Sequence, residues 1–365
     1  MSLKILISGG GTGGHIFPAI AIANTIKELK PDTEFLFVGA NGKMEMDKVP
    51  AAGYKIIGLN ITGIQRKLSA ANLAFPFKLI VSLLKARSII KDFKPDAVVG
   101  VGGFASGPVL RMATWMGIPS LIQEQNSFAG ITNRWVAKSV NKACVAYDGM
   151  DKFFPKDRIV LTGNPVRKEM VEIAGKREEA LSKFGFTSDK PVLLVVGGSL
   201  GARSINQALE KNIGELLNAG VQVLWQTGKL FKEESTRVNE TFKDASLNIM
   251  EFIYEMDMAY AAADFVVSRG GAIAVSELSL VGKPTILVPF PFAAEDHQTK
   301  NAMSLVNTGA AIHVADKEAR SILVSRVLEL SSDESTKNQL RANIVKHGKP
   351  NAALDIANQV IALAK

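Results

Sequence analysis

The chain has 365 residues, enough for two domains of the usual ~100–200 residues, each with its own core. Apolar residues make up 47%, yet no run reaches the ~18 residues of a spanning helix, and the start lacks the basic, apolar and small-residue regions of a secretory signal, so a cytosolic chain is expected. The lone cysteine, Cys144, excludes an internal disulfide or thiolate metal cluster, while a net charge of +8 and a pI near 9.4 favour an anionic partner: nucleotide, pyrophosphate or acidic membrane.

Short Val/Ile/Leu-rich runs alternate with longer amphipathic stretches, the pattern of α/β domains whose parallel sheets carry helices on both faces. The first run, Lys4-Ile5-Leu6-Ile7-Ser8, leads into Gly9-Gly10-Gly11-Thr12-Gly13-Gly14-His15. A turn without Cβ atoms lets backbone N–H groups crowd round an anion at the positive end of the following helix, so it is expected to grip phosphate. Further strands are expected at 34–39, 55–59, 97–101, 120–123, 142–146 and 158–162. Between Asn60 and Lys94 the only acid is Asp92, whereas Arg66, Lys67, Lys78, Lys85, Arg87, Lys91 and Lys94 accompany Leu73, Phe75, Phe77, Ile80, Leu83 and Leu84. That mixture suggests a membrane-docking surface, with Arg66, Lys67, Phe75 and Lys78 as its contacts. The plainer alternative is a domain helix with core-facing leucines and a solvated basic face.

A second glycine turn, Gly100-Val101-Gly102-Gly103-Phe104-Ala105-Ser106-Gly107-Pro108, follows the 97–101 strand. Gly163-Asn164-Pro165 then interrupts the rhythm and is the expected junction between domains 1–163 and 164–365. The second half repeats the opening: Val192-Leu193-Leu194-Val195-Val196 enters Gly197-Gly198-Ser199-Leu200-Gly201-Ala202, followed by a helix over 205–219. Strands are expected at 222–226, 247–251, 264–268 and 285–288, with a helix over 273–281 after Arg269-Gly270-Gly271. Glu277 is expected early in that helix, where a carboxylate can accept both vicinal hydroxyls of a ribose or simply stabilise the first turns. The polar stretch from Glu295 to Asn301 starts another helix, and the last covers 351–364.

Gly9, Gly11 and Gly14 fit the G-x-G-x-x-G spacing of dinucleotide folds, but the second strand ends Val38-Gly39-Ala40-Asn41, without the acid that would bind an adenine ribose. No G-x-x-x-x-G-K-[ST] loop is present, and neither is an RNA-recognition signature, so nucleic acid is not an expected partner. Three glycine turns at strand ends favour phosphate or sugar binding over tight turns alone.

Taken in order, Gly10 to Ala19, Gly102 to Pro108, Glu124-Gln125-Asn126, Gly163 to Arg167, Gly197 to Ala202 and Asp296-His297-Gln298 resemble the MurG family over nearly the whole chain. These bacterial enzymes add N-acetylglucosamine to the lipid-linked muramyl-pentapeptide of peptidoglycan synthesis. The resemblance implies a GT-B fold, two Rossmann-like domains whose parallel sheets face across a cleft, with the final helix packed back on the first domain. UDP-N-acetylglucosamine would be held mainly by the C-terminal domain, and lipid I would approach the N-terminal one at the cytoplasmic face of the cell membrane, where other cell-wall enzymes are further partners to consider. It further implies that Arg167, Ser199, Ile253, Ala272, Ile273, Ala274, Val275, Ser276, Glu277 and Gln298 line the donor pocket, with Thr12, Gly13, Gly14 and Asn126 near the transferred sugar. Glu277 would hold the ribose and Ile253 the uracil through its backbone. Two positions depart from many relatives: Gln123, where a histidine often stands, and Gly270, where a serine often follows the arginine.

Such a transferase is inverting, and helix N-termini, glycine-turn amides and Arg167 can stabilise the leaving pyrophosphate, so no metal or cofactor is expected; the chain also lacks a D-x-D pair. His15 is the leading candidate for the general base, with Glu124 second. A role for His15 in holding the turn or the donor phosphate is the competing reading. A UDP-N-acetylglucosamine epimerase, a nicotinamide-dependent oxidoreductase and a noncatalytic membrane scaffold are the rival functions.

Overall fold

The computed structural model describes residues 2–63 and 75–364. They form two compact units, one built from Met1–Val166 with Lys349–Lys365, the other from Arg167–Gly348.

In unit 1 the chain alternates β1 (Lys4–Ser8), α1 (Gly13–Leu29), β2 (Glu34–Ala40), α2 (Glu45–Ala51), β3 (Ile56–Leu59), α3 (Phe75–Phe93), β4 (Ala97–Gly100), α4 (Ser106–Trp115), β5 (Ser120–Glu124), α5 (Ile131–Val136), β6 (Lys142–Val145) and β7 (Ile159–Leu161). The seven strands lie in the order β3-β2-β1-β4-β5-β6-β7 and every pairing is parallel. Strands buried on both faces are continuous apolar runs, as in Ile5-Leu6-Ile7 and Ala97-Val98-Val99, all within 1% of full burial.

Unit 2 repeats the plan with α6 (Arg177–Phe184), β8 (Val192–Val196), α7 (Arg203–Asn218), β9 (Gln222–Gln226), α8 (Lys232–Phe242), β10 (Leu247–Met250), α9 (Met256–Ala262), β11 (Phe265–Ser268), α10 (Ala272–Val281), β12 (Thr285–Leu287), α11 (His297–Val306), β13 (Ile312–His313), α12 (Ala319–Ser332) and α13 (Glu334–Ile344). Its strand order is β10-β9-β8-β11-β12-β13, again parallel. Apolar cores cover both faces of the sheet, one centred on Ile205, Leu209, Trp225 and Leu323, the other on Leu194, Ala259, Leu278 and Leu305. The chain then re-enters unit 1 as α14 (Ala352–Leu363), whose Ile356, Ala357 and Val360 share a core with Ile5, Ile7, Ile16 and Ile22.

In each sheet the order reverses next to its first strand, between β1 and β4 in unit 1 and between β8 and β11 in unit 2. Loops diverge at such a switch point and leave a crevice at the carboxyl ends of the strands, where α/β domains bind ligands. The four glycine-containing turns leave from those four strand ends.

Candidate functional site

In unit 1 the turn after β1 is closed on itself. The Gly9 amide donates to Val38 O at 3.3 Å, the Gly10 amide to Gly102 O at 3.3 Å and the Gly11 amide to Glu45 Oε2 at 2.8 Å. A Cβ on Gly103 would strike the Gly10 carbonyl, so glycine is needed where the two turns touch. The Gly9, Gly10 and Gly11 amides are thus taken up within the protein, which leaves Gly13 and Gly14 at the start of α1 as the part of this turn to consider for an anion.

The same packing fixes His15, the third residue of α1. Its Nδ1 lies 3.0 Å from Gly10 O and 3.3 Å from Thr12 Oγ1. A carbonyl oxygen only accepts, so the geometry assigns the proton to Nδ1 and the lone pair of the neutral ring to Nε2. The ring lies against Gly102, where a Cβ would sit 2.9 Å from Nε2. Holding the turn and serving as a base are thus compatible: one nitrogen does each. Thr12, Gly13 and Gly14 form the N-cap and first turn of α1, with Thr12 and Gly14 exposed.

Glu124, at the end of β5, is buried with four donors on its carboxylate. Asn126 N–H and Nδ2 reach Oε1 at 3.0 and 3.2 Å, while Gly130 N–H and Asn133 Nδ2 reach Oε2 at 3.0 and 2.8 Å. Burial pushes this carboxyl above the usual range and those hydrogen bonds pull against it. A carboxylate so engaged braces the loop that carries Asn126. The departure at Gln123 has a local reason: its buried Nε2 donates to Asn164 Oδ1 at 3.0 Å, and Asn164 Nδ2 donates to Gln125 O at 3.1 Å.

In unit 2 the residues expected for the donor come from the ends of β8, β10, β11 and β12, apart from Arg167, which precedes α6 at the start of the unit. The turn bearing Ser199 packs back to back with the loop after β9: a Cβ on Gly201 would run into the Thr227 carbonyl and one on Gly228 into the Gly201 backbone. Gln226, which the sequence reading passed over, joins two expected segments: its Nε2 donates to Gly198 O at 3.1 Å and its Oε1 accepts from Ile253 N–H at 2.9 Å. The Ile253 amide is therefore engaged, leaving its carbonyl as the backbone group to consider for a base.

Ala272, Ile273, Ala274, Val275 and Ser276 are the first turn and a half of α10, which begins at Gly271 as N-cap and carries no acid in its first turn. Glu277 is its sixth residue, where the sequence placed it, and accepts from Tyr260 Oη at 3.0 Å. Burial drives its carboxyl up to about 7, against the opposing effects of the Tyr260 hydrogen bond and the Arg167 charge. Gln298 Oε1 accepts from Phe290 N–H at 3.0 Å. Gly270 touches the Gln298 backbone so closely that a Cβ there would collide with its carbonyl, the physical reason for glycine in place of serine. Beside this set lies a cavity of about 900 Å³ whose walls include Leu200, Arg203, Arg269, Phe292 and, alone among the expected donor residues, Gln298.

The surface of α3 divides. Leu79 and Leu83 pack into the unit 1 core, as the plainer reading expects, but Phe77 and Leu84 are 71% and 61% exposed and Ile80 and Val81 point outward as well. On α4 and α5, Trp115 and Trp135 are also exposed, with the Arg111 guanidinium stacked on both at 4.9 and 5.9 Å. Phe75 and Lys78 are half-buried, and Arg66 and Lys67 lie outside the described residues. Among the described residues no helix is long and apolar enough to cross a membrane, and no cluster of three or more His, Cys, Asp or Glu could hold a metal.

Residues 5–145 match the glycosyltransferase family 28 N-terminal domain and residues 192–360 its C-terminal domain. The UDP-N-acetylglucosamine–N-acetylmuramyl-(pentapeptide) pyrophosphoryl-undecaprenol N-acetylglucosamine transferase of Cytophaga hutchinsonii is 54% identical over 98% of this chain and 96% of its own. The transferase of the same name from Phocaeicola vulgatus is 52% identical over 100% and 97%. The crystal structure of Acinetobacter baumannii MurG superposes with a TM-score of 0.79 at 28% identity, covering 99% of each chain.

Proposed function

The chain belongs to glycosyltransferase family 28, and from that premise we infer that it transfers N-acetylglucosamine from UDP-N-acetylglucosamine to lipid I, forming the lipid II of peptidoglycan synthesis. The observation that carries this reading is the unit 2 cluster, in which Gln226 ties the Ser199 turn to Ile253 while Glu277 and Arg167 interact electrostatically. A carboxylate accepting the ribose hydroxyls, a backbone edge for the uracil and a helix N-terminus for the pyrophosphate are what a UDP-sugar requires.

The reaction we propose is an in-line displacement. The muramyl C4 oxygen bonds to C1 of the α-linked donor as the C1–O bond to the pyrophosphate breaks, its electron pair leaving with UDP and a β1,4 linkage resulting. The hydroxyl proton passes to His15 Nε2. The N-terminus of α10, the amides after β8 and Arg167 stabilise the charge that builds on the leaving group. The chain works as a peripheral protein on the cytoplasmic face of the cell membrane. Supporting this, the exposed Phe77, Ile80, Leu84, Trp115 and Trp135 offer apolar and aromatic contacts among Arg87, Lys91 and Arg111.

UDP release and product mass, followed with UDP-N-acetylglucosamine alone and with a lipid I analogue, test the reading. Release should require the analogue, yield a product heavier by one N-acetylglucosamine, and persist when divalent ions are chelated. Donor turnover without an acceptor would instead indicate an epimerase, and loss that only metal restores would show that a cation had been missed.

A further inference from the structure

Gly10 C=O and Gly11 N–H are the two ends of a single peptide group, and each end is bonded to an ionisable side chain. Glu45, the first residue of α2 and 1% exposed, places Oε2 2.8 Å from the Gly11 nitrogen and Oε1 3.0 Å from that of Ala40. On the far side Gly10 O receives the Nδ1 proton of His15 at 3.0 Å. The carboxylate can lie there because Gly10 is bare: a Cβ at that position, where φ is +153°, would land on Glu45 Oε1. The line therefore runs carboxylate, peptide, imidazole.

We propose that Glu45 is a positioning residue for His15, which through the Gly10–Gly11 peptide holds the ring as its Nδ1–H tautomer and makes Nε2 a stronger base. The proposal rests on the reading of His15 as the proton acceptor. An amide whose N–H is taken by a carboxylate carries more electron density on its oxygen, so it binds the Nδ1 proton more firmly, and hydrogen bonds in such a chain strengthen one another. The negative charge behind the turn also favours the imidazolium that forms when Nε2 takes the C4 hydroxyl proton. The arrangement does what an aspartate does for the histidine of a serine protease, with a peptide group interposed. No proton crosses the peptide: Nδ1 keeps its hydrogen throughout.

The other charged groups on elements packed against α1 are Asp47 and Lys48 on α2, Lys4 on β1 and Asp355 on α14, and Glu124 of β5 is bound to Asn126, Gly130 and Asn133. Glu45 is the acid whose carboxylate bonds the turn itself.

Ring ¹⁵N NMR of His15 in the unliganded wild-type protein should show the Nδ1–H tautomer, the minor form of free histidine, and Glu45→Gln should move the ring titration to lower pH by about one pH unit. In steady-state kinetics Glu45→Gln should lower kcat about ten- to a hundredfold, less than the ~10⁴ lost when a carboxylate bonded directly to a catalytic histidine is changed, because a peptide is interposed. KM for UDP-N-acetylglucosamine should stay within about twofold. The acid limb of kcat should shift down with the ring titration, and in a His15→Ala background Glu45→Gln should cost nothing further. An Nε2–H tautomer in the wild type, an unmoved titration or an equal loss in the His15→Ala background would each overturn the proposal. If Glu45→Gln does not fold, Glu45→Asp, whose shorter side chain draws the carboxylate back from the Gly11 amide, should lower the ring titration in the same direction, and an unmoved titration there would overturn the proposal. Failure of the transferase reading is distinguishable, because it would appear as wild-type protein that releases no UDP with acceptor whatever the ring shows.

Discussion

Glu277 couples donor binding to pH, and the size of the coupling follows from its surroundings. Burial holds its carboxyl at about 7, whereas the ribose hydroxyls need an ionised acceptor. UDP-N-acetylglucosamine is a suitable probe because its pyrophosphate, esterified at both ends, does not titrate near neutrality. The ionised fraction of a group with that midpoint rises from about one tenth at pH 6 to about nine tenths at pH 8, so donor affinity should climb roughly tenfold across that interval and then level off. Glu277→Gln should flatten the rise and, at pH 8, lose about 1.5–3 kcal/mol of charge-assisted hydrogen bonding, or roughly 10- to 150-fold in Kd. Stability of the unliganded protein should move the other way. A carboxyl raised from 4.5 in the folded state favours folding below its unfolded value, and that contribution is lost as pH rises through about 7. The full difference is about 3 kcal/mol; the side chain's partial contact with water discounts it to about 1–2 kcal/mol. Glu277→Gln should thus melt a few degrees above wild type at pH 8 and level with it near pH 4. Calorimetric titration and thermal scans at the two pH values read both effects. Affinity that is flat from pH 6 to 8 and unchanged by the substitution would refute the assignment of Glu277 to the ribose.

His15→Ala should lower kcat by about 10²–10⁴ while donor affinity barely moves; affinity that falls in parallel, with kcat preserved at saturation, would make His15 a binding residue. Phe77→Ser with Leu84→Ser, or Lys67→Glu with Lys78→Glu, should reduce sedimentation with anionic vesicles while sparing turnover of a short-chain soluble acceptor. Equal vesicle binding by variants and parent would place membrane contact on another surface.

Local pattern was enough for the sheets. The Lys4–Ser8, Val192–Val196 and Gln222–Gln226 strands fall at their expected bounds because each is an apolar run closed by glycine or polar residues, and the others differ by a residue or so at an end. β13 escaped notice because two residues, Ile312 and His313, leave no periodicity to read. The site was legible where glycine spacing and the MurG resemblance marked it, and illegible where its supports are remote in sequence. Glu45 sits 34 residues beyond Gly11, and Gln226 reaches Ile253 from 27 residues away; nothing local to either residue announces its partner. The same blindness applies at the first turn: the glycines are as expected, but the carboxylate that takes up the Gly11 amide comes from another helix. The four donors around Glu124 were hidden for a related reason, since they meet its carboxylate only once β5 and α5 are folded together.

The discontinuity of unit 1 bears on how the chain is made. Unit 2 is one unbroken stretch, Arg167–Gly348, whereas the core beneath β1 includes Ile356, Ala357 and Val360 from the last helix. A nascent chain emerging from the ribosome can therefore finish the unit synthesised second while the first still lacks a wall, reversing the usual N-terminal-first sequence of domain folding. Until α14 clears the exit tunnel, the apolar side chains of α1 that it covers stay open to chaperones and to neighbouring chains. Removal of α14 would spare every donor-side residue of unit 2 and damage instead the packing behind His15.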